Sequence, residues 1–132
     1  MSGKTKAAQK GDALAKDVCR LAKRLRLQTV EQFKVGRRLW GAGRHIDVIL
    51  KSRRTGRTLG IECKFQETRG SVDEKILATI QDIKAWPIEG IVVFSGQGFS
   101  EKIKSYLIST GKAVEFADLE PWLRLYFGLP LK

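Results

Sequence analysis

The chain has 132 residues and carries 25 Lys and Arg against 14 Asp and Glu, a net charge of +11, which allows one domain with a real core and excludes two. No apolar run reaches the roughly eighteen residues of a membrane span, no charged-then-apolar segment opens the chain as a secretion signal, and two cysteines are too few for a disulfide framework. The basic excess is local: residues 1–57 hold sixteen Lys and Arg against four Asp and Glu, whereas residues 58–132 hold nine against ten. An imbalance of this size points to an anionic polymer or an acidic surface as partner, and with no membrane signal the expected location is the cytoplasm.

Residues 1–10 are small and basic without apolar periodicity and read as a flexible tail ahead of one folded unit, 11–132. From Asp12, placed as an N-cap, Leu14, Val18, Leu21, Ala22 and Leu25 recur at helical spacing. Lys16, Arg20, Lys23, Arg24 and Arg26 fill the other faces with no acid among them after Asp17, a face read as a phosphate contact. A short first strand is expected from Phe33 to Leu39, then a glycine-rich loop, 40–45, around which Arg37, Arg38 and Arg44 cluster. Small residues and arginines there let a polyanion backbone approach closely. His45, the only histidine, is grouped with these arginines, although a plain loop histidine fits the same position.

Ile46-Asp47-Val48-Ile49-Leu50 and Gly60-Ile61-Glu62-Cys63-Lys64-Phe65-Gln66 read as two strands joined around Arg53-Arg54-Thr55-Gly56. Thr68 to Ser71 is a turn, and Ser71 with Glu74 forms a capping box for a helix over 72–85 that buries Ile76, Ile80 and Ile83 and stops at Trp86-Pro87. The unbroken apolar run Gly90 to Ser95 is a strand buried on both faces. Ser100 caps a helix over Glu101 to Thr110, with Ile103, Tyr106 and Leu107 inward. A short strand follows from Ala113 to Phe116, and Asp118 caps a terminal helix that Gly128 and Pro130 stop. The order is αβββαβαβα, an α/β fold with a central mixed sheet flanked by helices.

Strand side chains alternate, so Glu62, Lys64 and Gln66 share one face and Ile61, Cys63 and Phe65 the other. Fourteen residues lie between Asp47 and Glu62, the reach of a hairpin, which would bring two carboxylates and an ammonium together. Carboxylate oxygens with positions left for water suit Mg²⁺ or Mn²⁺, and an adjacent lysine can orient or help deprotonate an attacking water. That is chemistry for cutting phosphodiesters. The competing reading makes Asp47 a strand cap and Glu62–Lys64 a surface ion pair. The apolar setting favours the site, because carboxylates and lysines are rarely buried unless paired or metal-bound. Cys19 and Cys63 lack metal-ligand spacing and read as reduced, Cys63 packing in the core opposite the polar face.

On Asp47, Glu62 and Lys64, with Gln66 where several members carry a polar residue, the hairpin resembles the core motif of the PD-(D/E)xK nuclease superfamily. That superfamily includes many restriction endonucleases and the archaeal Holliday-junction resolvases. The likeness extends more loosely over residues 10 to 128 through the element order. The proline that names the motif is replaced by Ile46, and the first-helix glutamate of many members has three counterparts here, Asp12, Asp17 and Glu31.

The resemblance implies a restriction-endonuclease-like core and a Mg²⁺- or Mn²⁺-dependent DNA endonuclease. Asp47, Glu62 and the carbonyl of Cys63 would hold metal, and Lys64 and Gln66 would serve the water. It also implies DNA contacts from Arg37, Arg38, Arg44, His45, Arg53, Arg54 and, as in restriction-type members, Lys75, and action as a homodimer. The cytoplasmic setting becomes that of a nucleoid-associated or viral protein. Three substrates fit: a four-way junction, a restriction or homing-type site, and damaged DNA. The alternative from another class is a non-catalytic nucleic-acid-binding module, which gains nothing from two carboxylates that repel phosphate without a cation.

Overall fold

A computed structural model describes residues 6–37, 43–66 and 73–131 and, of these, the side chains of 11–35, 45–66 and 78–131. In chain order the elements are α1 (Lys6–Arg24), β1 (Gln28–Arg37), β2 (Gly43–Lys51), β3 (Thr58–Phe65), α2 (Asp73–Lys84), β4 (Gly90–Ser95), α3 (Glu101–Ser109), β5 (Ala113–Glu115), a 3-10 turn (Phe116–Asp118) and α4 (Leu119–Phe127). The fold is α/β, and its order is the expected one.

The five strands lie in the sheet in chain order. β1–β2 and β2–β3 are antiparallel, whereas β3–β4 and β4–β5 are parallel, joined by the crossover helices α2 and α3. Each face has its own core. On one, Leu14 and Val18 of α1 and Leu119 and Leu123 of α4 pack with Ile61, Ile91 and Val93. On the other, Ile80 and Ile83 of α2 and Leu107 near the end of α3 pack with Val92 and Phe94. Fully burying a side chain of this size contributes about 1.5–3 kcal/mol, so the two helical layers hold the sheet between them. Gly60 and Gly90 are paired across β3 and β4, and the Trp86 ring lies where any Cβ on them would be, which closes the start of α2's return against the sheet.

Several boundaries differ from expectation for identifiable reasons. α1 starts at Lys6, so Asp12 sits inside the helix and not at its cap; Ala7, Ala8, Gln9 and Lys10 are good helix formers that continue the helix N-terminally. The helix ends in a Schellman motif, with Leu27 N–H donating to Ala22 and Arg26 N–H to Lys23, and Arg26 in the left-handed region at φ 63°. β1 begins at Gln28 and not Phe33, and β2 takes in Gly43, Arg44 and His45, where the glycines predict a loop. Backbone pairing between the two strands, Arg37 with Gly43 and Lys34 with His45, overrides the turn propensity of the glycine.

Tyr106 is 49 % exposed and faces outward, leaving Leu107 and Ile103 as the inward residues of α3. Phe116 opens the 3-10 turn and does not extend β5. Asp118 stands at the N-cap of α4 without a side-chain capping bond, whereas the Ser100 hydroxyl accepts from Ile103 N–H at 3.2 Å as expected. The 40–42 part of the glycine-rich loop, the Thr68–Ser71 turn and the first five residues lie outside the described residues, as do the side chains of the Ser71–Glu74 capping box and of Ile76. No helix among the described residues is long and apolar enough to cross a membrane.

Candidate active site at the parting of two strands

Pairing of β2 with β3 runs from Lys51–Thr58 to Val48–Ile61 and stops there. The next residues along would be Asp47 and Glu62. Asp47 instead turns its carboxylate onto the neighbouring backbone, and its Oδ2 accepts the N–H of Cys63 at 2.9 Å. The alternation of β2 breaks at the same point: Val48 packs on the α1–α4 face, while Ile46, two residues earlier, packs on the α2–α3 face. In β1, Gln32 lies between Glu31 and Phe33, the partners of Val48 and Ile46, and so stands opposite Asp47. Gln32 has φ 53°, a left-handed backbone that costs a non-glycine residue about 1–2 kcal/mol. Its Nε2 donates to Asp47 Oδ1 at 3.3 Å. Both oxygens of Asp47 are therefore held, one by each neighbouring strand.

Glu62 and Lys64 lie in parallel register with Val92 and Phe94, on the α2–α3 face. Their side chains are 20 % and 36 % exposed, and Lys64 Nζ is 3.8 Å from Glu62 Oε2. Cys63 between them points into the opposite core. Burial pushes its thiol pKa up, and the charges of Asp47 and then Glu62 add to the shift, so both carboxylates lie within electrostatic reach of one sulfur.

This donor set fits a hard divalent cation. Asp47 and Glu62 offer carboxylate oxygens and Cys63 a main-chain carbonyl, with no soft ligand engaged. A carboxylate has about four acceptor positions, so the two hydrogen bonds on Asp47 leave capacity for an ion. Among the described residues no group of three or more His, Cys, Asp and Glu side chains is placed to hold a metal, so none of Asp12, Asp17 and Glu31 completes one with Asp47 and Glu62. Asp17 is ion-paired to Arg20 at 2.7 Å and Glu31 to Lys16 at 3.2 Å.

The other expected site residues are scattered. Gln66 lies one residue past β3 and is buried; its backbone N–H donates to Ser95, its carbonyl accepts from Gly98 N–H, and its Nε2 donates to the Gly98 carbonyl at 2.9 Å. Its Oε1 is buried and has no hydrogen-bond donor among the described residues. Gly96, at φ 109°, passes so close to the Gln66 carbonyl that only glycine fits. His45 is exposed on β2, two residues before Asp47. Arg53 and Arg54 stand at the β2–β3 turn, away from the carboxylates. Arg37 and Arg44 are placed at the far end of β1–β2 by their backbones; their side chains, that of Lys75, and Arg38 altogether lie outside the described residues.

Two residues carry roles that the sequence does not signal. Gln32 touches Asp47 only because of the strand register. Arg57 stacks 4.0 Å over the Tyr126 ring and donates to the Tyr126 carbonyl at 2.8 Å, fastening the hairpin to α4.

The profile of the PD-(D/E)XK nuclease superfamily domain matches residues 6–122. The chain belongs to that superfamily. The superfamily is one of nucleases, which generally use divalent metals. No curated protein matches the chain. Among solved structures, the crystal structure of the protein of unknown function AF1548 is similar, with a TM-score of 0.56 and 21% identity over 80% of this chain. The match covers 58% of that longer chain, and the likeness is one of fold.

Proposed function

We propose that the protein is a Mg²⁺- or Mn²⁺-dependent DNA endonuclease, in which Asp47, Glu62 and the carbonyl of Cys63 hold the ion. The observation that carries this reading is the Asp47–Cys63 hydrogen bond at the end of the β2–β3 ladder, which aims a fixed carboxylate beside Glu62 and Lys64. When bound, a divalent ion there acidifies water and offsets charge on the phosphate. Lys64, 3.8 Å from Glu62, orients the attacking water and holds developing negative charge on the phosphoryl oxygens. Water adds to phosphorus and gives up a proton, the bond from phosphorus to one deoxyribose oxygen breaks, and that oxygen leaves as a hydroxyl after taking up a proton. Gln66 fixes the end of β3 and so the position of Lys64 two residues earlier.

DNA as substrate is supported by the excess of twelve positive charges over residues 1–57, a source of affinity with little sequence selectivity. Within this reading a junction-resolving activity suits the basic first half, which grips backbone without reading sequence, and a homodimer would supply the second cut. A restriction or homing-type activity is the second reading, favoured by the place of Lys75 on α2, the helix that follows the hairpin.

The test is incubation of wild type and Glu62→Ala with supercoiled plasmid and with a four-way junction, each with Mg²⁺, Mn²⁺ or chelator. Cleavage by wild type with metal alone, lost in Glu62→Ala, is expected. Binding without cleavage under every metal overturns the enzyme reading, and unimpaired cleavage by Glu62→Ala overturns the site. Preference for junction over plasmid ranks the two activities.

A further inference from the structure

We infer that the protein has a second phosphate-binding surface, separate from the carboxylate pair, in the cleft between the end of α1, the β2–β3 turn and the end of α4. Its ligand, the backbone of a nucleic acid that extends beyond the cut, rests on the function proposed above. The cleft has a volume of about 450 Å³ and is lined by five arginines, Arg24, Arg26, Arg53, Arg54 and Arg124, with no carboxylate among the lining residues. Its floor is apolar, from Leu25, Leu27, Leu129 and Pro130.

Helix stability accounts for only part of this cluster. Arg24 and Arg124 stand in the last turns of α1 and α4, where a cation offsets the helix dipole. Both also share one acid, Glu120, at 3.1 and 2.9 Å. Arg54 donates to the Gly128 carbonyl at 3.4 Å, beyond the end of α4. Arg26 and Arg53 serve neither purpose: among the described residues neither has a carboxylate partner, and both are exposed. Arg26 also occupies the left-handed position after α1, at φ 63°, where glycine is the favoured residue. A guanidinium is thus kept on the rim at a backbone cost.

Five guanidinium groups set against one acid, Glu120, keep a net positive charge that concentrates anions, and the planar fork of arginine matches two phosphate oxygens at once. The cleft lies well away from the site. β2 runs four residues past Asp47 to Lys51, about 13 Å at the rise of a strand, and Arg53 stands in the turn beyond it; phosphates of one duplex strand rise about 3.4 Å each along the helix axis. A duplex touching both places therefore extends about four or more base pairs past the cut.

The test compares two charge-matched double variants with wild type by fluorescence anisotropy, with chelator present and salt varied. One is Arg26→Gly with Arg53→Gln, the glycine suiting the left-handed backbone; the other, Lys84→Gln with Lys102→Gln, removes two exposed lysines elsewhere. On a long duplex the arginine pair is expected to weaken binding about tenfold and to flatten the slope of log K against log salt by about 0.9 for each phosphate that is no longer neutralised. The lysine pair should leave both unchanged. Wild-type affinity and slope in the arginine pair, or an equal loss in the lysine pair, would overturn the cleft. A wild type that binds through the cleft but never cuts overturns only the nuclease reading.

Discussion

The carboxylate of Asp47 takes the backbone N–H of Cys63 at the point where β2 and β3 stop pairing. The side chain therefore does two jobs, satisfying a backbone donor and presenting charge. Asp47→Asn keeps an acceptor for that N–H and loses the charge; Asp47→Ala loses both. Leaving a buried donor without a partner costs about 1–3 kcal/mol. Asp47→Asn should thus melt within about 2 °C of wild type while cleavage falls at least about a hundredfold. Asp47→Ala should lose the same activity and also melt several degrees lower. Plasmid nicking and thermal melting, run on both variants, check the separation.

Gln32 combines a strained backbone with a hydrogen bond to Asp47 Oδ1. Gly tolerates φ 53° at no steric cost, so Gln32→Gly should relieve about 1–2 kcal/mol of strain against about 0.4–1 kcal/mol of added unfolded-chain entropy, a small net rise in stability. The same change frees one oxygen of Asp47, and cleavage should fall several-fold. Opposite signs are the expected outcome; a variant that is more stable and equally active would show that Gln32 does not position the carboxylate.

Legibility in the sequence followed burial. β4 matches its expected bounds, Gly90–Ser95, because a run of apolar residues buried on both faces admits one reading. β1 does not, because it is an edge strand: Val30 and Phe33 are each 48 % exposed, and the left-handed Gln32 interrupts the alternation that would mark it. The grouping of Asp47, Glu62 and Lys64 is legible because charges inside apolar strands stand out. The Gln32 contact is not, since it depends on a register between residues fifteen apart that only the folded sheet sets. The position of Gln66 was legible but not its bond to Gly98, thirty-two residues away, which requires the β4–α3 turn to fold back on β3.

Both thiols are buried, Cys19 on α1 and Cys63 on β3, and burial is the main cause of the raised pKa of each. A protonated, enclosed thiol is a poor nucleophile. Neither should react with a disulfide reagent in the native protein at pH 8, and both should react at once in denaturant. The sign for stability follows from Cys19, whose folded pKa lies above its ordinary 9.0. The unfolded chain releases that proton first as pH rises, so the contribution is full below about pH 9 and declines above it. Urea unfolding at pH 8 and pH 10 should give a lower midpoint at the higher pH, and Cys19→Ala should reduce the difference.

Gln66 joins the end of β3 to the end of β4 and the turn after it through three hydrogen bonds: its N–H donates to the Ser95 carbonyl, its carbonyl accepts from Gly98 N–H, and its Nε2 donates to the Gly98 carbonyl. If its task is to fix Lys64, shortening the side chain should act on the rate through position. Gln66→Ala leaves the Gly98 carbonyl without its side-chain donor and should cost about 1–3 kcal/mol of stability. Cleavage should fall about tenfold or more at saturating DNA, with affinity in chelator unchanged. Gln66→Glu tests the polarity of the contact, because a carboxylate facing a carbonyl in a buried site is repelled and desolvated. It should be less stable than Gln66→Ala, and raising the pH from 5 to 8 should widen the gap as the introduced acid ionises. A Gln66→Glu variant as stable as wild type at pH 8 would show that the side chain is not held against Gly98 in solution.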